Sequence, residues 1–526
     1  GMRYISTRGS SPAVSFEQAL LNGYAPDGGL YVPEHLPTVT QDDLRRWQPL
    51  SFPDLALEIC SLFIPSGVIS RQELRQLLGK SFAAFASPDK VVNLLHLPGK
   101  DDGRREQPHV FIAELFHGPT LAFKDIAMRF VVFLLDFFLS RREGGSSPSS
   151  PPRLHVVVAT TGDTGPAAAS AIEECRHLDC WCFFPYGSIS KPQERQMTTL
   201  VGGNVHAVGV RDCPLGGDSL DEVVIELFED RGFMQKVPLT SVNSINWGRV
   251  MVQIVHYFWC YLRLCDHIAG YSGLIEIGQE VVFSVPTGGV GNMCAGYIAR
   301  CMRLPIHRIV CANNANHAVT RALNDGCFSR KAMVATHSSA IDIVVPYNFW
   351  RVLYLASGCS AQHIQQWTRQ FYESDQGAQI DSDTLTRLRE ALIGCVVSDQ
   401  DTLLTINECF VNNGYVLDPH TAVALSAYRS LQPSLPPSLP CVVLATAHPA
   451  KFPSVVQRAL RIDDYSALPA KAHHPAIERI FLRLPRLRLC SFDDFRAYIR
   501  AEMEAVDGYR VRVRQSKDDK VQGGGF

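Results

Sequence analysis

A single lysine, Lys124, stands in an apolar run within "ELFHGPTLAFKDIAMRF", Glu114 to Phe130, just after a turn-forming "HGPT". Phe123, Ile126, Ala127, Met128 and Phe130 crowd it. At a helix end a lysine can snorkel and keep its ammonium in water. Buried instead, the ammonium loses hydration, its pKa falls, and the neutral amine required for Schiff-base chemistry becomes accessible. Spacing alone leaves both readings open.

A second stretch, "VVFSVPTGGVGNMCAGYIARCMR", reads as a strand ending at Pro286, a glycine-rich turn from Thr287 to Asn292, and a helix from about Met293. Gly288, Gly289 and Gly291 let backbone amides approach an anion, and the helix start adds the positive end of its dipole. This is a phosphate cradle in pattern. No Gly-Lys-Ser/Thr follows, so it is not a nucleotide P-loop, and Cys294 stands where the third glycine of a dinucleotide fingerprint belongs. Glycines kept only for close packing are the alternative.

"LHVVVATTGDTGPAAASAIEEC" repeats the strand, loop and helix order, with Thr160, Thr161, Gly162, Asp163, Thr164 and Gly165 in the loop and Pro166 in the first turn. Hydroxyls and free amides at a helix start suit a carboxylate, whereas a plain N-cap by Asp163 or Thr164 explains part of the pattern without a ligand. "LATAHPAKF" places Thr446 at the end of a late strand, where ligands of open α/β sheets sit, and His448 and Lys451 read as the start of the next helix.

These segments need a scaffold. From about residue 150, "LHVVVAT", "CWCFFPY", "NVHAVGV", "VVFSVPT", "RIVCANN" and "CVVLATA" alternate with helical patterns, which predicts an α/β chain with mostly parallel sheet. The runs are continuously apolar, as burial under helices on both faces demands. "SFEQALLNGY", "DLALEICSLF" and "RQELRQLLGKSFAAF" predict helices in the first hundred residues. Gly144 to Pro152 and Leu431 to Pro440 read as exposed connections, and the last fifteen residues, from Arg512, are expected to fray.

At 526 residues the chain exceeds one ordinary core, and a hydrophobic content of 46% excludes disorder of the whole. A net charge of −2 argues against a nucleic-acid or anionic-membrane binder and for a small polar metabolite. Sixteen cysteines without a CxxC pair predict free thiols in a reducing compartment, the cytoplasm, and call for no metal. No secretory leader is expected, and Arg3 and Arg8 are too few for a transit peptide. "IAMRFVVFLLDFFL" is too short to span a bilayer, carries Arg129 and Asp136, and reads as a buried helix.

In this order, "HGPTLAFKD", "TTGDTG", "FFPYGSIS", "NSIN", "PTGGVGN" and "TAHPAKF" resemble segments of the threonine synthase family, a branch of the fold type II pyridoxal-phosphate enzymes, and "YISTRG" through "YVPEHLP" resembles its N-terminal region. The resemblance implies a tryptophan-synthase-β-like α/β fold with two doubly wound, mostly parallel sheet domains and an N-terminal helical unit. The corresponding divisions are 1–100, then 101–250 with Lys124 and the substrate loop, then 251–526 with the phosphate loop and a C-terminal extension.

The resemblance further implies that Lys124 binds pyridoxal 5'-phosphate as a Schiff base, that Gly288, Gly289, Val290, Gly291 and Asn292 hold its phosphate, and that Thr446 hydrogen-bonds its ring nitrogen. Thr160, Thr161, Gly162, Asp163 and Thr164 would grip the substrate carboxylate, and Lys191, Asn243, Asn246 and Arg249 are candidates for the substrate phosphate. The implied reaction converts O-phosphohomoserine and water to L-threonine and phosphate in a monomer or homodimer. The alternative is a phospholyase that releases 2-oxobutyrate from O-phosphohomoserine or O-phosphothreonine, which "INWGRVMVQIVHYF" resembles more. Two departures are small. The family's phosphate loop often reads Gly-Asn-Phe-Gly where Gly289 and Val290 stand between Gly288 and Gly291, and Thr161 replaces a common serine.

Overall fold

The computed structural model describes residues 1–99, 108–143, 153–268, 271–272 and 274–506. The connection at 144–152 and the terminal residues from 512 lie outside the described residues. Two sheets dominate. One has six strands in the order Leu392–Val396, Ile306–Asn313, Val281–Pro286, Cys441–Ala445, Val110–Glu114 and Asn93–Leu97, parallel except for the last pair. The other has five parallel strands in the order Arg488–Ser491, Val205–Arg211, Leu178–Pro185, Leu154–Ala159 and Leu239–Thr240. All six strand-forming runs identified in the sequence form strands. Every residue of Leu178–Pro185, Val281–Pro286 and Cys441–Ala445 is buried, which is why these strands have no polar side.

The sheets interleave along the chain. Val110–Glu114 lies beside Cys441–Ala445, and Arg488–Ser491 crosses back to the edge of the five-stranded sheet. Sheet membership therefore does not follow the divisions expected at 100/101 and 250/251. Three strands of the six-stranded sheet, Asn93–Leu97, Val110–Glu114 and Leu392–Val396, are short apolar runs whose pattern does not distinguish strand from helix, so the sequence reading missed them.

The N-terminal region forms the expected helices Phe16–Asn22, Phe52–Ser61 and Arg71–Phe82, with Gln41–Trp47 between them. Ser15, Thr40 and Ser70 begin three of these with reciprocal capping boxes, each satisfying two otherwise orphaned backbone donors. Tyr4–Ser6 pairs with Tyr31–Pro33 and ties this region into a small ribbon.

The helix Lys124–Glu143 carries the run "IAMRFVVFLLDFFL" into the core. Its charges have partners: Arg129 Nε donates to Ser81 O at 2.9 Å and Nη1 to Glu174 Oε1 at 2.9 Å, while Asp136 Oδ1 accepts from His177 N at 3.0 Å. Among the described residues no helix is long and apolar enough to cross a membrane.

Arg351, fully buried, clamps the N-terminal ribbon to the cleft. Its Nε and Nη2 donate to Tyr31 O at 3.0 and 2.9 Å, Nη2 to Ile245 O at 2.6 Å, and Nη1 to Asn348 Oδ1 at 2.6 Å. Arg351→Leu strands these acceptors in the interior, and we expect a loss of about 3 kcal/mol in stability, read as a lower denaturant midpoint.

Candidate active site

The loops that leave the C-terminal ends of four strands converge on one cavity of about 1370 Å³. Lys124 follows Val110–Glu114, the Thr160–Asp163 loop follows Leu154–Ala159, the glycine loop follows Val281–Pro286, and Thr446 follows Cys441–Ala445. Open parallel sheets offer ligands this position because strand ends and helix starts leave backbone donors unused there.

Lys124 is the first residue of its helix, and the loop before it is zipped to the exit of Cys441–Ala445. Leu115 N donates to Ala445 O at 3.0 Å, Phe123 N to Thr446 O at 2.8 Å and His448 N to Leu121 O at 2.9 Å, with Ala122 bridging Ala447. Asp125 folds the loop back by accepting from Thr120 N at 2.8 Å and Thr120 Oγ1 at 2.7 Å. Lys124 is half-buried and lines the cavity. Burial pulls its pKa from 10.5 down to about 8, with Asp163 opposing and Arg249 and Lys451 reinforcing the shift. A neutral amine is thus within reach near neutral pH.

The glycine loop places Val290 at φ 71°, a left-handed conformation that a β-branched residue adopts only where its surroundings impose it. Gly288 has no room for a side chain: a Cβ there would lie 2.8 Å from Ile341 Cα. Asn292 opens the helix Gly291–Cys301; its Oδ1 accepts from His256 Nε2 and Tyr257 OH, both at 2.9 Å. Burial lowers His256 to about 4, so the ring is neutral and acts as a donor to Asn292.

In the Thr160–Thr164 loop, Thr160 is spent internally: its Oγ1 accepts from Gly162 N and Gly165 N, both at 3.0 Å. Asp163 sits at the N-cap position of Thr164–Ile172 without capping it. Its Oδ1 instead accepts from Lys451 Nζ at 2.8 Å and Gln193 Nε2 at 3.0 Å. Burial alone would raise Asp163; Lys451, Lys124 and His420 more than reverse this and hold it below the usual carboxylate range. Thr161, Asp163 and Thr164 line the cavity.

The four phosphate candidates separate. Asn243 and Arg249 line the cavity. Asn246 does not: fully buried, it caps the helix Trp247–Leu264 by accepting from Gly248 N at 3.0 Å and donating to Leu20 O at 2.9 Å. Lys191 lies on the surface at the start of Lys191–Thr198, with Nζ 3.2 Å from Glu194 Oε2. Asn246 is used as a helix cap and Lys191 turns to solvent at a helix start, so neither lines the cavity.

Several residues of the cavity wall went unread in the sequence. His420 Nε2 accepts from Ala340 N at 3.0 Å, so its Nδ1 carries the proton and donates to Asp418 Oδ2 at 2.7 Å. Ser244 and Gln253 approach the glycine loop, and Arg8, Asn22 and Tyr24 reach in from the N-terminal region. Asp218, Asp221 and Glu222 share one face of Gly217–Glu229. Burial pushes Asp218 up to about 6 with help from Glu222, and Asp221 up to about 8 with help from Asp218 and Glu222. Only the Asp-Pro-His order at 418–420, an N-cap signal, marks any of these in advance.

Four buried polar atoms of the wall lack a partner among the described residues: Asn243 Oδ1, Arg249 Nε, Gln253 Oε1 and Asn292 Nδ2. Buried polar groups are rarely left unsatisfied, and four such atoms gathered on one cavity wall are what a polar ligand would complete.

Three family models match along the chain: "Threonine synthase N terminus" over residues 3–82, "Pyridoxal-phosphate dependent enzyme" over 91–447, and "Threonine synthase, C-terminal" over 421–483. The chain belongs to the threonine synthase family of pyridoxal-phosphate-dependent enzymes. Threonine synthase of Pseudomonas aeruginosa is 37% identical over 470 residues, 89% of this chain and 92% of that one. Threonine synthase-like 2 of Homo sapiens is 39% identical over 460 residues, 87% and 89%. The solved threonine synthase from yeast superposes with a TM-score of 0.85 at 32% identity, covering 96% of this chain and 99% of that one.

The site fits the family's cofactor on its own geometry, with a side-chain-free cradle at Gly288, an unsatisfied Asn292 amide beside it and a half-buried amine of lowered pKa at Lys124. Gly288→Ala must displace the Ile341 segment. We expect it to weaken pyridoxal phosphate binding at least tenfold, about 1.4 kcal/mol, in an absorbance titration of cofactor-free protein.

Proposed function

We propose that the chain is a threonine synthase, converting O-phosphohomoserine and water to L-threonine and phosphate, with Lys124 as the attachment point of the cofactor. The observation that supports this most is the set of unsatisfied atoms at Asn243, Arg249, Gln253 and Asn292, which share a cavity with the Lys124 amine. The amides of Gly288 to Asn292 hold the cofactor phosphate, and the Thr446 hydroxyl meets the ring nitrogen. When bound, pyridoxal phosphate supplies an electron sink that stabilises negative charge on the substrate next to its amino group.

The chain's own groups do the rest. The loop from Thr161 to Thr164 offers backbone amides to the substrate carboxylate, with Thr160 keeping the loop in shape. Arg249, a guanidinium without a carboxylate partner in the described interior, and Asn243 receive the substrate phosphate. Lys191 and Asn246 are left out of this set by their positions. Lys124, with a proton affinity near neutrality, takes the proton from the substrate Cα and returns it farther along the carbon chain. All sixteen cysteines are free thiols, which supports a reducing, cytoplasmic setting.

A second reading has its own support. The human threonine synthase-like 2 is as similar to this chain as the bacterial threonine synthase. In a phospholyase, water would not add at Cβ, and the carbon skeleton would leave as 2-oxobutyrate with ammonia and phosphate.

Incubation with O-phosphohomoserine separates the two. We expect threonine and phosphate in equal amounts; 2-oxobutyrate as the main product would replace the synthase reading with the lyase. Lys124→Ala should lose the cofactor's visible absorbance and all turnover with an unchanged circular dichroism spectrum, and retained turnover would remove Lys124 from its role.

A further inference from the structure

Lys451 is a fully buried lysine that the reaction as proposed does not use. It ends the short turn Pro449–Lys451, and its Nζ lies 2.8 Å from Asp163 Oδ1 and donates to Thr120 O at 2.8 Å. The two partners belong to different loops. Asp163 sits in the loop that follows the five-stranded sheet, whereas Thr120 sits four residues before Lys124 and is also held by Asp125 and by Gln196 Nε2 at 2.9 Å. One buried ammonium therefore joins the two loops.

The charges around Lys124 come from several elements. Asp163 faces it from the start of Thr164–Ile172, Arg249 from Trp247–Leu264 and Lys451 from its turn. His420, on Pro419–Leu431, also faces Asp163. Asp125, on the helix of Lys124 itself, is engaged by Thr120. Asp163 is thus the acidic group that draws a proton toward Lys124, and Lys451 is the cation in direct contact with it.

We propose that Lys451 is a positioning residue: its ammonium neutralises Asp163 and ties the Asp163 loop to the Thr120 carbonyl, so that Asp163 does not hold a proton on Lys124 and the substrate loop stays in register. Without that ammonium the full charge of Asp163 faces Lys124, and an opposite charge at such range favours the protonated amine. The inference rests on the reading of Lys124 as the cofactor lysine.

The test uses full-length protein freed of cofactor, exposed briefly to pyridoxal phosphate across a pH series, quenched with borohydride and mapped by mass spectrometry. The rate of adduct formation at Lys124 against pH has a midpoint. We expect Lys451→Gln, which keeps a hydrogen-bonding group but no charge, to move that midpoint up by about one pH unit. Asp163→Asn should move it down, the double variant should lie with Asp163→Asn rather than with Lys451→Gln, and Lys451→Arg should leave it in place. A merely structural role slows the reaction in every variant with the midpoint fixed, and that result overturns the inference. Should Lys451→Gln not fold, the double variant against Asp163→Asn decides: with the Asp163 charge gone the ammonium has nothing left to neutralise, so equal midpoints are expected, and a midpoint about one pH unit higher in the double variant contradicts the coupling. An adduct on a lysine other than Lys124 defeats the underlying reading instead.

Discussion

An amine is neutral near neutral pH only if it is partly withdrawn from water, and Lys124, half-buried on the wall of the cleft, meets that constraint while remaining reachable from the cavity. Desolvation is the largest influence on its proton affinity. The loop before it is fastened by backbone bonds to the residues that follow the strand Cys441–Ala445, so the position of Lys124 is set by the central part of the six-stranded sheet. The same exit segment supplies Thr446 to the cavity wall and Lys451 to the buried contact with Asp163. Three positions at the cleft are thereby tied to one stretch of backbone.

The opposite requirement holds at the glycine loop. Anion binding by backbone amides needs bare peptide groups, and bare peptide groups are costly to bury unless a ligand completes them. Val290 in a left-handed conformation, Gly288 against Ile341 and Asn292 with an unsatisfied amide are the local signs of a surface completed by something other than protein. The support behind this surface is itself hydrogen-bonded. His256 and Tyr257 hold Asn292, and Asn348, itself bonded to Arg351, donates to Ser244 O at 2.7 Å beside the loop. Rigid support under an incomplete surface is the arrangement expected of a preorganised binding site.

Much of this was legible in the sequence where local pattern and burial coincide. The strand runs after residue 150, the helix after Lys124 and the glycine turn before the helix Gly291–Cys301 all announce themselves by composition. The joining of distant segments was not legible. Asp163 reads as an N-cap, and only the fold shows that it forgoes capping to meet Lys451, almost three hundred residues away. Lys191 and Asn246 have suitable chemistry and stand near the right motifs, but a helix start turns the first to solvent and uses the second as a cap. The interleaving of the two sheets hides in the same way, since strand order is a property of tertiary packing.

The central claim is that one cavity holds the cofactor at two ends, by the glycine loop and by the lysine. A crystal structure of the full-length protein loaded with pyridoxal phosphate tests it most directly. The account predicts continuous density from Lys124 Nζ to the cofactor ring and the phosphate among the amides of Gly288 to Asn292. Phosphate density seated instead on the Thr160–Thr164 loop, or a cofactor with no bond to Lys124, would contradict it.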